Sequence, residues 1–167
     1  CGSDCKKEAS IPDMLVADFI KAIDDIREIV EPNKTMIVFT GGEPLLRNDL
    51  EICGQMLYDR GFPWGTVTNG MLLTANRIEK LTQAGLRADT VSLDGLEASH
   101  NWLRGNNNSF KNALQGIKLL KDSDRIRYDA VTCVNQRNFD ELDQIKDLLI
   151  DAGLSEWRLF TVFPIGR

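Results

Sequence analysis

Met36-Ile-Val-Phe-Thr-Gly-Gly-Glu-Pro44 is the stretch on which the reading of this chain turns. Its first five residues form a continuous β-prone run rather than an alternating one, which suits a parallel strand covered on both faces. Gly41-Gly42-Glu43-Pro44 then breaks the run, and a helix is expected from about Asn48, with Leu50, Cys53 and Leu57 turned inward and its end near Gly61. Upstream, Pro12 and Asp13 open a helix in which Leu15, Phe19, Ile23, Ile26 and Val30 recur at helical spacing. That helix should stop before Pro32, because a residue preceding proline avoids the α region.

Downstream the same unit repeats. Thr66–Asn69 reads as a strand, and Thr74 caps a helix holding Ile78 and Leu81, closed by Gly85. Thr90–Asp94 reads as a strand, followed by a long polar loop to Asn108, and Ser109 caps a helix with Phe110, Leu114 and Ile117 on one face. Arg127–Val134 is the next strand. Asn138 and Glu141 have capping-box spacing ahead of a helix burying Leu142, Ile145 and Leu149, which ends at Gly153. Trp157–Phe163 is the last strand. Strict alternation implies right-handed crossovers and a parallel α/β sheet, with no linker that would divide residues 1–167 into two domains.

Composition narrows the class. A net charge of -5 without a dense Lys/Arg block argues against binding to nucleic-acid backbones, and no apolar run approaches a bilayer span. Trp64, Trp102 and Trp157 form no stacking platform. Cys1, Cys5, Cys53 and Cys133 are too scattered for a disulfide framework, so a reducing, cytoplasmic setting is expected. Cys53 and Cys133 read as small core residues. The chain starts without Met and ends on an apolar run, and is expected to be an internal piece of a longer protein.

In parallel α/β folds, functional groups gather beyond the carboxyl ends of strands. There this sequence places Gly41-Gly42-Glu43-Pro44, Asn69-Gly70, Ser92 with Asp94-Gly95, Asn135, and Pro164 to Arg167. Glycines let backbone approach a ligand, and Glu43 offers a carboxylate to a cationic group. Each piece alone has a plainer reading. Gly-Gly-Glu-Pro is a tight turn, Asp94-Gly95 a turn, Arg104 a solvated loop charge, and His100 a loop or helix-start residue.

Taken in order, the pieces resemble the radical S-adenosylmethionine (SAM) family. Phe39-Thr-Gly-Gly-Glu-Pro-Leu-Leu-Arg47, Thr66–Gly70, Val91–Gly95, His100–Gly105, Ser109-Phe110, Val134-Asn135 and Phe163–Arg167 follow in that family's order and spacing, across essentially the whole chain. The resemblance implies a partial parallel (β/α) barrel of the TIM type, with five strands here and the first barrel strand missing. It implies a [4Fe–4S] cluster and SAM in the longer protein, and neither in these 167 residues alone. Cys1 would be the third cysteine of the cluster loop, with Cys5 an extra one. By the same resemblance Gly41, Gly42 and Glu43, with Pro44 stiffening the turn, would hold the SAM ammonium. Ser92 and Arg104 would meet its ribose or carboxylate, with Asn69 and Asp94 nearby, and backbone at Val134, Asn135 and Pro164 would receive the adenine.

The implied partners are a peptide, protein or small-molecule substrate and a reducing electron donor, with neither nucleic acid nor membrane. Members that modify peptides or mature cofactors and carry a C-terminal auxiliary-cluster domain share these motifs. Without its neighbour, strand 36–40 would be an exposed edge open to self-association. Two other readings stay open at this level: an aldolase- or isomerase-type barrel enzyme, for which rim lysines and metal ligands are thin, and a non-catalytic binding domain of the same fold.

Overall fold

A computed structural model describes residues 13–161. The expectations placed on Cys1, Cys5, Pro12 and Pro164 lie outside them. Helix α1 (Val16–Arg27) is followed by strand β1 (Ile37–Phe39), helix α2 (Leu50–Asp59), strand β2 (Trp64–Thr68), helix α3 (Ala75–Gln83) and strand β3 (Leu86–Ser92). Then come α4 (Glu97–Arg104), α5 (Ser109–Lys121), β4 (Arg127–Val134), α6 (Leu142–Asp151) and β5 (Trp157–Thr161). The five strands are all parallel and lie in chain order, β1-β2-β3-β4-β5, which is a partial (β/α) barrel.

The core lies between the sheet and the helices, built on Leu50, Leu57, Trp64, Leu81, Ile117 and Ile145. An aromatic chain docks α1 against it, with the Phe19 and Phe39 rings 5.4 Å apart and Phe39 meeting Trp64 edge-on at 5.7 Å. Trp64 is fully buried, donates its indole N–H to the Ala84 carbonyl at 3.0 Å, and packs against Gly54 of α2. A Cβ at position 54 would sit 2.2 Å from that ring. Gly54→Ala is therefore expected to cost about 1–3 kcal/mol through overpacking, read as a lower urea midpoint with an unchanged slope.

Several local expectations are corrected. Helix α1 starts at Val16, so Leu15 lies at its cap and is exposed, while Ile20 joins Ile23 as a buried residue and Phe19, Ile26 and Val30 pack against the core as expected. Strand β1 is shorter than 36–40 and is not covered on both faces: it forms the edge of the sheet, and Val38 is 49% exposed. Strands β2 and β3 begin earlier than read, at Trp64 and Leu86, since Gly65 and the charged Arg87 and Asp89 interrupt the apolar pattern. The polar stretch after β3 is not a loop: it holds α4, whose buried residues are Ser99 and His100 rather than apolar ones. Asn108, not Ser109, occupies the cap position of α5. Glu141 makes no capping box, as described below.

Other local signals hold. Thr74 Oγ1 accepts from the Arg77 amide at 3.1 Å, and Gly85 ends α3 at a φ of +94°. No helix among the described residues is long and apolar enough to cross a membrane.

Candidate active site

Because the strands are parallel and in order, the segments that follow them sit side by side along one rim. After β1, Gly41 adopts a φ of +126°, and a Cβ on Gly41 or on Gly42 would meet nothing within 4 Å. The backbone there is open on its side-chain side, a cradle that a larger residue would fill. Glu43 folds across to β2. Its Oε1 accepts from the Leu45 amide at 3.1 Å and from the Thr68 hydroxyl at 2.7 Å, while Oε2 accepts from the Asn69 amide at 2.7 Å. One carboxylate thus ties the glycine turn to the end of β2. The Thr68 hydroxyl in turn accepts from the Gly70 amide at 3.1 Å, and Asn69 Oδ1 from the Met71 amide at 2.8 Å. Gly70 needs its glycine: its φ is +78°, and a Cβ would lie 2.9 Å from Ala113 Cα of α5.

The ends of β3 and β4 meet at Asp94, which is 3% exposed. Its Oδ2 accepts from Arg104, with Nε at 2.8 Å and Nη2 as second donor, and its Oδ1 accepts from the Cys133 amide at 2.8 Å. The Asp94 amide donates to His100 Nδ1 at 2.9 Å, and its carbonyl accepts from Asn138 Nδ2 at 2.7 Å. His100 is therefore a neutral imidazole carrying its proton on Nε2. Burial, reinforced by the Arg104 charge and opposed by Asp94, pushes its pKa down to about 4. Asn135 is shaped by the same turn: its amide donates to Asn138 Oδ1 at 2.7 Å, and its Nδ2 donates to the Cys133 carbonyl at 3.1 Å.

Of the residues singled out from sequence, the structure joins Glu43 to the backbone of Asn69, and Asp94 to Arg104 and the β4 end. Ser92 closes β3 with no side-chain hydrogen bond among the described residues, and Val134 closes β4. Arg104 is not a free loop charge: it ends α4 with part of its guanidinium spent on Asp94. Its Nη1 group has no protein acceptor among the described residues, which leaves one face of the fork for an anion. Cys53 is buried in α2 and Cys133 lies in β4, and no group of three His, Cys, Asp or Glu among the described residues could hold a metal.

Sequence reading missed a second polar group. On the face of the sheet opposite Trp64 and Val91, Arg158 Nε and Nη2 hold Asp129 at 2.6 and 3.1 Å, and Nη2 also donates to Thr90 Oγ1 at 2.6 Å. The alternation of polar residues along these strands was the available signal.

The family profile described as the radical SAM superfamily matches residues 7–149. The chain belongs to the radical SAM superfamily. It is 34% identical over 143 residues to the AdoMet-dependent heme synthase of Methanosarcina barkeri, and 32% identical over 145 residues to the Fe-coproporphyrin III synthase of the same organism. Those matches take in 85% and 87% of this chain but 41% and 35% of the relatives, so it spans less than half of their length. The structure of Streptococcus suis SuiB bound to S-adenosylmethionine superposes with a TM-score of 0.75 at 13% identity, covering 90% of this chain and 34% of SuiB. The superfamily is one of enzymes, and it implies a [4Fe–4S] cluster and SAM.

Proposed function

We propose that this radical SAM chain supplies the SAM-holding rim of an enzyme that reductively cleaves S-adenosylmethionine and acts on an iron-tetrapyrrole substrate. The observation that carries the first part is the pair of prepared groups on successive strand ends: the Glu43-tied glycine cradle and the Asp94-held Arg104. In this reading Gly41 and Gly42 offer backbone to the SAM ammonium, with Glu43 fixing the turn and adding its charge. Arg104 turns its unspent donors to the carboxylate or ribose, beside Ser92, with Asn69 and Asp94 holding the frame. Val134 and Asn135, with Pro164 beyond the described residues, receive the adenine. A bound cluster would supply the single electron needed to break a sulfonium carbon–sulfur bond of SAM, the source of a 5′-deoxyadenosyl radical in this family. No side-chain general base is required; these residues orient SAM and shield it from water.

The tetrapyrrole class rests on the two relatives at more than 30% identity. Likeness to SuiB, at 13%, speaks to fold, so a peptide substrate is the weaker reading. The inner-face Arg158 fits the stronger one: its Nη1 group has no acceptor among the described residues and would suit a carboxylate side chain. We also infer that these 167 residues alone hold no normal cluster, since three closely spaced thiolates are needed and Cys1 and Cys5 have no third cysteine near them in the sequence.

The test is anaerobic loading of the complete gene product with iron and sulfide, followed by dithionite and SAM. Release of 5′-deoxyadenosine, increased by an iron porphyrin carrying carboxylate side chains and not by short peptides, is the expected result. A cluster-loaded protein that leaves SAM intact would end the reading.

A further inference from the structure

Glu141 lies in the 3-10 turn (Phe139–Glu141) ahead of α6, and its spacing from Asn138 suggests a local cap. The structure sends it elsewhere. Its Oε2 accepts from the Leu96 amide at 2.9 Å and its Oε1 from the Ser99 hydroxyl at 2.6 Å, both at the start of α4. The carboxylate thus stands at a helix N-terminus where unpaired N–H groups and the dipole favour negative charge. The approach is close: a Cβ on Gly95 would fall 2.9 Å from Ser99 Cβ and 3.0 Å from Glu141 Oε2.

Helix α4 has only two turns, and too short a helix cannot hold its own geometry in water. Its position is set by what grips it. Asn101 fastens it to the start of α5, accepting from Ser109 Oγ at 2.8 Å and from the Phe110 amide at 2.9 Å. His100 takes the Asp94 amide. Glu141 is the grip from the β4 side. Arg104 is at the far end of this helix, so a shift or fraying of α4 moves its guanidinium relative to Asp94 and the rim.

We propose that Glu141 is a positioning residue for Arg104: by capping α4 from the β4–α6 connection, it sets where the Arg104 fork meets an anionic group of SAM. The proposal rests on the reading that Arg104 faces SAM. Its chemistry makes one variant conservative. In Glu141→Gln the amide oxygen can take the Leu96 N–H while the amide nitrogen donates to the Ser99 hydroxyl, which accepts as readily as it donates. In Glu141→Ala both bonds are lost.

Two measurements test it. In the 167-residue chain, hydrogen exchange of residues 97–104 should speed up in E141A and stay near the native rate in E141Q, with α2 and α3 unchanged. In the cluster-loaded complete protein, E141A should weaken the SAM dissociation constant and raise KM for SAM about tenfold with kcat within about twofold, while E141Q stays within about threefold. Arg104→Met supplies the separating control. If R104M weakens SAM binding and E141A does not, the positioning role is overturned while the SAM reading survives. If R104M binds SAM as the native protein does, Arg104 does not face SAM, and both fall. If E141A lowers kcat alone, or E141Q fails as badly as E141A, Glu141 acts otherwise than by placing Arg104.

Discussion

Glu43→Gln is expected to weaken SAM binding on the order of a hundredfold, and to cut 5′-deoxyadenosine release by at least that much. The exchange looks mild and is not. Glu43 accepts three hydrogen bonds, two on one oxygen and one on the other, and donates none. A glutamine has one oxygen. Facing Leu45 and Thr68, it leaves its amide nitrogen against the Asn69 N–H. Flipped, it sets that nitrogen against the Leu45 N–H. Either way a bond to a charged acceptor is lost and two donors oppose each other. Each such loss costs about 1.5–3 kcal/mol, and 1.4 kcal/mol is a factor of ten. The glycine turn would then come away from β2, and the cradle over Gly41 and Gly42 would lose its shape. Equilibrium dialysis of SAM with the cluster-loaded protein measures the first effect. Native affinity in E43Q would show that the turn keeps its form without the carboxylate.

Asp89→Asn is expected to stabilise the chain at pH 8 by about 2–3 kcal/mol and hardly at all at pH 4. Asp89 is 1% exposed in the middle of β3. Its Oδ1 accepts from Thr66 Oγ1 at 2.7 Å, and its Oδ2 has no partner. Burial raises its pKa to about 7, against the Thr66 bond and with help from the Glu43 charge. The unfolded chain gives up this proton near pH 4 and the folded chain only near pH 7. Stability from this group is complete below pH 4 and is lost as pH rises to 7. His100 works the other way. Its folded value near 4 lies below the usual 6.5, so its contribution is full above pH 6.5 and is lost as pH falls to 4. In the native chain the two slopes oppose each other between pH 4 and 6.5. In D89N only the histidine slope remains, so thermal midpoints should rise from pH 4 to about 6.5 and then level off. Parallel profiles for the two proteins would rule out a buried, titrating Asp89.

The order of elements was readable because each β-α unit carries its own period and punctuation, as Leu50, Cys53 and Leu57 do for α2, or Thr74 and Gly85 for α3. What escaped was whatever is held by polar contacts across the chain. Helix α4 hides Ser99 and His100 instead of leucines, so hydrophobic periodicity passes over it. Those side chains are made tolerable by Glu141, far off in sequence from Ser99, and by the Asp94 amide just ahead of the helix. Glu141 itself shows a local spacing rule losing to a tertiary partner. The rim positions of Glu43, Asp94 and Arg104 were legible as motif, but not that Arg104 already spends donors on Asp94. The Thr90, Asp129 and Arg158 group escaped because the strands were placed in order without the register that brings these three side chains together.

Among the described residues, each strand of this sheet borders only the ones made just before and just after it, and no later strand lies between earlier ones. Growth at a single margin follows: a nascent chain leaving the ribosome can lay down one β-α unit after another, each on a finished template, without waiting for its far end. Binding pockets assembled this way ripen in the same sequence, with the Glu43 tie in place before the Asp94 hub has its β4 partner.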